Sequence, residues 1–556
     1  MRRRRAVSPA PAVGPFKSSH QSTPPTAGAL ARAGKSTLSA SPEHLASGRS
    51  GPLLWLSFVG LLSAGLCLPF VRAIYWLGDE GELLHGAERM LHGARIYADF
   101  FEFLPPGGFV LTEAWLWIAG SSILSARSLA ILTIVGIACF TFLACHQASR
   151  RPLLSALLTI GWVMMSQGVW TEVSHQWFTT LFSMIVAWLA IAKVEHPRRG
   201  RWPPFIAGTV AGAAAMVTPT RGALAMLAAL AAFFDLRRDR VALVLYIAGS
   251  ILVPACLIAY LVRQHAFVPA FDDVILWTAE RYASVQGVPF GYSAGLQNFL
   301  LGYLFQATAL LMLVICIRDR RVCLRNRLLW TCFAFGVAGF VGCYPRPDIV
   351  HIAFAAPLTL PLLAYCMTRL TQRWYRAYRY VAVGVMIAIA VPSACSFSWS
   401  AERAWQTKLV PTPRGGVAVI GLPGFRALLA RIAATPSGDA YFFYPYMPLL
   451  PFLTARRDVS RYDMFIPEYT TPYQYQKACI SVMRSARWVV IDRDMINPGV
   501  LKQMFPSMRD LRPPEMRKFE RAVDGAFRLV ARDGRFDLRR RRAHGVSPQL
   551  CANIAK

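Results

Sequence analysis

Long apolar runs alternate with short, arginine-rich connections along most of this chain. The first uninterrupted run, Leu53 to Phe70, carries no charge, and a membrane-spanning helix needs roughly 20 predominantly apolar residues. Ten further runs follow. The pattern predicts eleven spans at about 53–71, 123–145, 153–170, 177–192, 204–218, 222–236, 240–262, 296–317, 328–343, 351–368 and 379–396. The fifth and sixth are short and are separated by Pro219 and Gly222, which leaves open one broken helix or a re-entrant pair.

After Val391 the long apolar runs stop. Residues 425–434 have helical spacing, Ala440 to Tyr444 is an aromatic strand, Tyr475 to Ala486 a helix and Trp488 to Asp492 a buried strand. Phe527 to Val530 and Phe536 to Leu538 flank Asp533-Gly534, a hairpin turn signal. The expected fold class is an α-helical polytopic membrane protein of about 11 transmembrane helices with a C-terminal extracytoplasmic α/β domain of about 150 residues. The expected organisation is a basic disordered tail at 1–50, a membrane domain at 51–396 with an external loop at 72–122, and the α/β domain at 397–556.

Composition supports the bilayer: 55% of the 556 residues are hydrophobic and the mean hydropathy is +0.38. The net charge of +30 is explained by its distribution. With the N-terminus inside, the inside loops hold 18 Lys and Arg residues and the longer outside loops eight, so the charge bias predicts N-in, C-out. Such charge fits anionic headgroups, and no nucleic-acid motif accompanies it. The Ala-, Ser-, Pro- and Arg-rich start also fits an organellar transit peptide as a minor alternative. Of the twelve Cys, most lie in apolar spans as small core residues, and only Cys395, Cys479 and Cys551 are placed for an external disulfide.

The segment Trp76 to Gly108 carries the most chemistry. Gly78-Asp79-Glu80-Gly81 follows the first span directly, then a helix with Leu83, Leu84, Ala87, Met90 and Leu91 on one face and Glu82, His85, Glu88, Arg89 and His92 on the other. That second face reads as solvated, on a helix lying in the membrane interface. Tyr97, Asp99 and Glu102 form a second polar cluster before Pro105-Pro106-Gly107-Gly108, and Phe109 to Ala119 reads as a juxtamembrane helix too short to span. On this topology Glu172, His175, Arg221, Asp272, Asp273, Arg346, Asp348 and His351 emerge on the same outer face. Charges at membrane depth are expensive and usually line a polar cavity.

At Trp76 to Gly108 the chain resembles the C-type integral membrane glycosyltransferases, notably the protein O-mannosyltransferase and aminoarabinose transferase group. The resemblance rests on the Asp79-Glu80 pair, on Met90-Leu91-His92-Gly93-Ala94-Arg95-Ile96-Tyr97-Ala98-Asp99 and on the Pro-Pro-Gly that leads into the next helix. Pro345-Arg346-Pro347-Asp348-Ile349-Val350-His351 looks like a later external-loop element of related bacterial proteins. The Glu-Lys-Pro element of the aminoarabinose transferases has no counterpart, so sugar specificity does not carry over.

The resemblance implies inverting transfer of a sugar from a polyprenyl-phosphate donor to a glycan, lipid or protein acceptor, on the extracytoplasmic face of a bacterial inner or plasma membrane. A polyprenyl phosphate leaves readily, so one carboxylate suffices to take the acceptor proton as the hydroxyl attacks C1. Asp79 is the candidate base and Glu80 its partner or an acceptor-orienting group. Arg221 or Arg346, or a divalent cation, would stabilise the departing phosphate. Asp99, Glu102, His175, Asp348 and His351 are the further candidate substrate contacts, and no metal ligand set is assigned. Plainer readings stand beside these: solvation for Asp79 and Glu80, an N-cap for Asp348, headgroup anchoring for Arg221 and a satisfied buried histidine for His175. The rival classes are a polytopic transporter or lipid flippase, which predicts internal repeats that are not visible, and a non-catalytic envelope-polysaccharide assembly protein.

Overall fold

The computed structural model describes residues 51–555 apart from 168–169, 197–201, 234–239, 294–298, 374–376 and 544–547. The expected tail at 1–50, and Arg198, Arg199, Arg201, Arg237, Arg238 and Arg376 of the charge census, lie outside the described residues. From Pro52 onward the chain forms one compact unit.

Among the described residues, every expected apolar run contains helix. They begin with α1 (Gly51–Cys67), which leads through the two-residue strand β1 (Ala73–Ile74) into α2 (Asp79–Leu91) and α3 (Pro106–Ala119). Then come α4 (Ile123–Ser149), α5 (Pro152–Gln167), α6 (His175–Glu195), α7 (Trp202–Val217), α8 (Pro219–Phe233) and α9 (Arg240–Arg263). A broken helical stretch follows, α10 (Phe267–Phe271), a π-helical turn at Asp272–Trp277 and α11 (Thr278–Gln286). The membrane part ends with α12 (Phe299–Gly302), α13 (Leu304–Arg318), α14 (Arg320–Arg325), α15 (Arg327–Val341), α16 (Ile349–Ala355), α17 (Leu360–Arg373) and α18 (Ala377–Gln406).

Among the described residues, four helices are long and apolar enough to cross a membrane: Gly51–Phe70, Ile123–Ser149, His175–Glu195 and Arg240–Arg263. A fifth crossing results if the pair Ile349–Leu358 and Leu360–Leu370, bent by 60°, is one span. Eleven full crossings are therefore not established. Helices α5, α7, α8, α13 and α15 hold only 15 or 16 residues, which at roughly 1.5 Å rise per residue is about 24 Å at most against a hydrocarbon core of about 30 Å. The break at Thr218-Pro219 separates α7 from α8, as the sequence suggested. Close approach of α7 to α9 depends on small residues: a Cβ on Gly208 would lie 2.0 Å from the Tyr246 carbonyl oxygen.

The C-terminal region is the expected α/β assembly. Strands β2 (Leu409–Val410) and β3 (Val417–Val419) form a small sheet with β1, in the order β1-β3-β2, so the loop after α1 is stitched to residues more than 300 positions later. Then follow α19 (Phe425–Ala433), β4 (Tyr441–Tyr444), α20 (Leu449–Thr454), α21 (Pro472–Ser485), β5 (Trp488–Asp492), α22 (Pro498–Met504), α23 (Pro514–Ala526), β6 (Phe527–Asp533) and β7 (Phe536–Arg541). The four-stranded sheet has the order β4-β5-β7-β6, with β4 and β5 parallel and the other pairs antiparallel. The β6–β7 hairpin turns at Gly534, whose φ of 55° suits glycine. Cys479 on α21 is disulfide-bonded to Cys551.

The polar face of α2 departs from the solvated surface that its amphipathic pattern predicts. The C-terminal region covers it: Arg89 and His85 both bind Asp463, at 3.1 and 3.2 Å, and Glu88 pairs with Arg414. Glu82, His85 and Glu88 are all buried. Charged side chains are tolerated there because each pair supplies the partner that water would otherwise provide.

Candidate active site

Two glycines bracket Asp79 and bring the segment 446–449 onto the start of α2. A Cβ on Gly78 would lie 2.2 Å from the Tyr446 ring, and one on Gly81 would lie 2.0 Å from the Leu449 backbone nitrogen. This approach sets Tyr446 over Asp79, and the Tyr446 hydroxyl donates to Oδ1 of Asp79 at 2.7 Å. Asp79 lines a cavity of about 400 Å³ between α2, α6, α11, α16 and the C-terminal region. The size and the mix of aromatic walls with a few convergent polar groups are those of a small-molecule site.

The same cavity is lined by the element Arg346, Asp348 and His351. Arg346 Nε donates to Asp348 Oδ2 at 2.7 Å, Nη1 to Gln286 Oε1 at 2.6 Å and Nη2 to the Met504 carbonyl at 3.1 Å. Of five guanidinium N–H groups, three are thus used and the planar fork is held in place. Asp348 caps α16 through the His351 backbone N–H at 3.0 Å and contacts His351 Nδ1 at 2.7 Å. It is both the N-cap and a member of the cluster.

The two elements hold their carboxyl groups differently. Burial raises the Asp79 carboxyl above its ordinary value, and the Tyr446 hydrogen bond, Arg346 and His351 limit the rise. Burial also works against the Asp348 carboxylate, but His351 and then Arg346 outweigh it and hold that group at about 2. Glu82, one turn beyond Asp79 and lining the same cavity, is driven well up by burial and by Glu102, Asp79 and Asp463. Separated environments of this kind assign acid and base forms within one site.

The other candidate residues fall into distinct places. Glu80 is 1% exposed and does not line the cavity; it pairs with Arg127 at 2.8 Å and accepts from the Val173 backbone at 3.1 Å. Arg127 in turn donates to the carbonyls of Thr171 and Ala73, so the pair clamps the start of α2 to α4 and to the loop before α6. Glu102 is buried behind Glu82, accepts from the backbones of Phe103 and Leu104 at 3.0 and 3.3 Å, and is pushed up to about 8 by burial. Asp99 lies away from the cavity on the surface, bridged to Arg95 at 2.8 Å.

His175 lines the cavity at the start of α6, with Nε2 3.1 Å from the Gln176 amide nitrogen. Arg221 sits one layer behind: it is 6% exposed and donates to Gln176 Oε1 at 2.5 Å and Thr180 Oγ1 at 3.1 Å. It is therefore neither a headgroup anchor nor a cavity wall; it positions Gln176, which does line the cavity. Sequence reasoning missed Glu82, Tyr446, Gln286 and Tyr282 as cavity residues. For Glu82 the signal was present, since it follows Asp79 by one helical turn. Among the described residues no group of three or more His, Cys, Asp or Glu is arranged to hold a metal ion.

No protein-family model and no curated protein matches this chain. Solved structures do. ArnT from Cupriavidus metallidurans in the apo state superposes with a TM-score of 0.53 at 14% identity, over 88% of this chain and 98% of that one. The same protein bound to undecaprenyl phosphate gives 0.52 at 14% identity, over 89% and 99%. The archaeal oligosaccharyltransferase AglB from Archaeoglobus fulgidus, in complex with an inhibitory peptide and a dolichol-phosphate, gives 0.51 at 12% identity, over 87% and 74%. The chain shares its overall fold with these two proteins.

Proposed function

We propose that this protein is a membrane glycosyltransferase that moves a sugar from a polyprenyl-phosphate donor to a glycan, lipid or protein acceptor, with inversion at C1. The observation that carries the reading is Asp79. One carboxylate oxygen is fixed by Tyr446, the group borders a cavity with aromatic walls, and an anchored guanidinium lines the same cavity. The polyprenyl phosphates bound to two proteins of the same fold support the donor class.

In this reading the acceptor hydroxyl gives its proton to Asp79 while its oxygen forms the bond to C1. The bond from C1 to the phosphate oxygen breaks with its electrons, and the phosphate takes up the added charge. The remaining N–H groups of Arg346 face that charge; a divalent cation is the alternative partner. Glu80 acts through its clamp on α2, Arg221 through Gln176, and His175, Asp348 and His351 shape the wall. Glu102 stands behind Glu82, and Asp99 has a surface role.

We place the site on the extracytoplasmic face of a bacterial inner or plasma membrane, with the N-terminus inside, residues 51–396 as the membrane domain and 397–556 as the outer domain that closes over α2. Three features support this: the Lys and Arg bias, the convergence of Asp79, His175, Arg346 and His351 on one cavity, and the Cys479–Cys551 disulfide, which suits an oxidising compartment. Comparing envelope glycans and lipids by mass spectrometry with and without the gene tests the reading. A missing sugar modification supports it and names the acceptor class. Unchanged glycans together with a mislocalised lipid would instead favour a flippase.

A further inference from the structure

A second cavity, of about 260 Å³, lies in the C-terminal region between the four-stranded sheet and α23, and it shares no lining residue with the cavity at Asp79. Side chains two apart on a strand share a face. Val489 and Ile491 of β5 therefore stand on the same side as Arg493, and their strand partners Arg539 and Asp537 of β7 share that side. Phe519 of α23 packs on Phe442 of β4 with ring centroids 5.8 Å apart, which closes the apolar half of the face. The half toward β6 is left to arginine. Residues 527–542, the β6–β7 hairpin and the residue after it, hold seven Arg against Asp533 and Asp537, a charge that the bias of the membrane loops does not account for.

Four arginines line this cavity, Arg493, Arg512, Arg532 and Arg539, and the carboxylates beside them are already engaged. Asp537 faces three of them: Nε of Arg532 lies 2.9 Å and Nε of Arg493 3.3 Å from its Oδ1, and Nη2 of Arg539 lies 3.5 Å from its Oδ2. Asp524 pairs with Arg539, and Glu520 with Arg512 and the Tyr444 hydroxyl. Nη1 of Arg493 and Nη1 of Arg532 make no hydrogen bond to any described residue, and the two side chains are 37% and 54% exposed. Carbonyl oxygens hold two of the guanidiniums in place, Gly534 for Arg493 and Ile496 for Arg512.

An occupant of this space meets N–H donors and no vacant acceptor, since a guanidinium has none. A cation is repelled, a neutral sugar leaves its own donors unmatched, and an apolar chain strips water from the arginines without replacing it. An oxyanion matches the inventory. Arg493 and Arg532 converge on one Asp537 oxygen from two chain segments; a flat carboxylate pairs with one guanidinium fork, whereas a phosphate carries oxygens for both. We infer that the Arg493–Arg512–Arg532–Arg539 cavity binds a phosphate group, carried by a lipid headgroup or by a soluble ligand, at a site separate from the Asp79 cavity. The assignment stands independently of the transferase reading.

The test is calorimetric titration of inorganic phosphate into the full-length protein in phosphatidylcholine nanodiscs at constant ionic strength. Saturable binding is expected, weakened about tenfold or more by Arg532→Gln or Arg493→Gln. It is expected to be unchanged by Arg346→Ala at the first cavity and by Arg540→Gln, whose side chain stacks on Trp488 on the opposite face of the hairpin. Arg532 is exposed and Asp537 keeps two other arginines, so Arg532→Gln should melt as the unaltered protein does, and its loss of phosphate is read on folded protein. Nanodiscs that also contain phosphatidate separate the sources: a headgroup occupant abolishes the titration there, and a soluble one leaves it saturable. Three results overturn the site: no saturable binding, binding that Arg540→Gln weakens as much as Arg532→Gln does, or binding that disappears in folded Arg346→Ala protein.

Discussion

Tyr446 reaches across 367 positions of sequence to hold Oδ1 of Asp79 at 2.7 Å. A hydrogen bond to a carboxylate favours its ionised form, so the C-terminal region of the chain sets the basicity of a group on α2. Replacing Tyr446 by Phe removes that bond and lets the Asp79 carboxyl rise further. The acid limb of the pH–rate profile should then move to higher pH, and transfer at neutral pH should fall by about tenfold. A profile that keeps its inflection would show that Tyr446 does not tune the base.

The unaltered protein should show the same sign. Burial raises the Asp79 carboxyl, and the base must be ionised to act. Transfer should therefore increase with pH through an inflection above the ordinary aspartate value, and should be lost on the acid side of it. Measuring kcat against pH with saturating donor and acceptor checks this, and a rate that is flat from pH 4 to 7 by about a factor of two would oppose it.

Arg346→Ala is expected to raise the KM for the polyprenyl-phosphate donor about tenfold or more, because the anchored guanidinium is the cation facing the cavity. Acceptor KM should change less. Equal loss of thermal stability and of donor use would mark the residue as structural, acting through its bond to the Met504 carbonyl.

Glu80 should behave in the opposite way. It and Arg127 are both about fully buried and paired at 2.8 Å, so Glu80→Gln leaves an uncompensated cation and costs about 3–5 kcal/mol of stability. The expected result is poor insertion or a lowered Tm, with near-normal kcat in whatever protein folds. A stable Glu80→Gln protein without activity would give Glu80 a direct chemical role.

The membrane helices and the strands of the C-terminal region could be read from the chain because their signals are local. An apolar run, an aromatic alternation or Asp533-Gly534 needs no distant partner to be recognised. The number of crossings could not, since α7 and α8 divide at Thr218-Pro219 and several helices are shorter than the bilayer core. The polar face of α2 was misread for another reason. Its partners, Asp463 and Arg414, come from more than 300 positions away, and amphipathicity alone does not distinguish water from a buried ion pair. Asp79, His175, Arg346, Asp348 and His351 line one cavity, as expected of polar groups at an apolar boundary, which tend to share one. Asp99, in the same sequence motif, lies instead on the surface with Arg95. Tyr446 and Tyr282 had no signal, being two tyrosines in an aromatic-rich chain.

The most direct measurement is turnover by the Asp79→Asn protein, purified in lipid and supplied with a polyprenyl-phosphate sugar and the acceptor identified from envelope analysis. Asn keeps the shape and can still receive the Tyr446 hydrogen bond, but it cannot take the acceptor proton. The account predicts a folded, donor-binding protein whose turnover falls by about 100-fold or more. Near-normal turnover with the same product would contradict it.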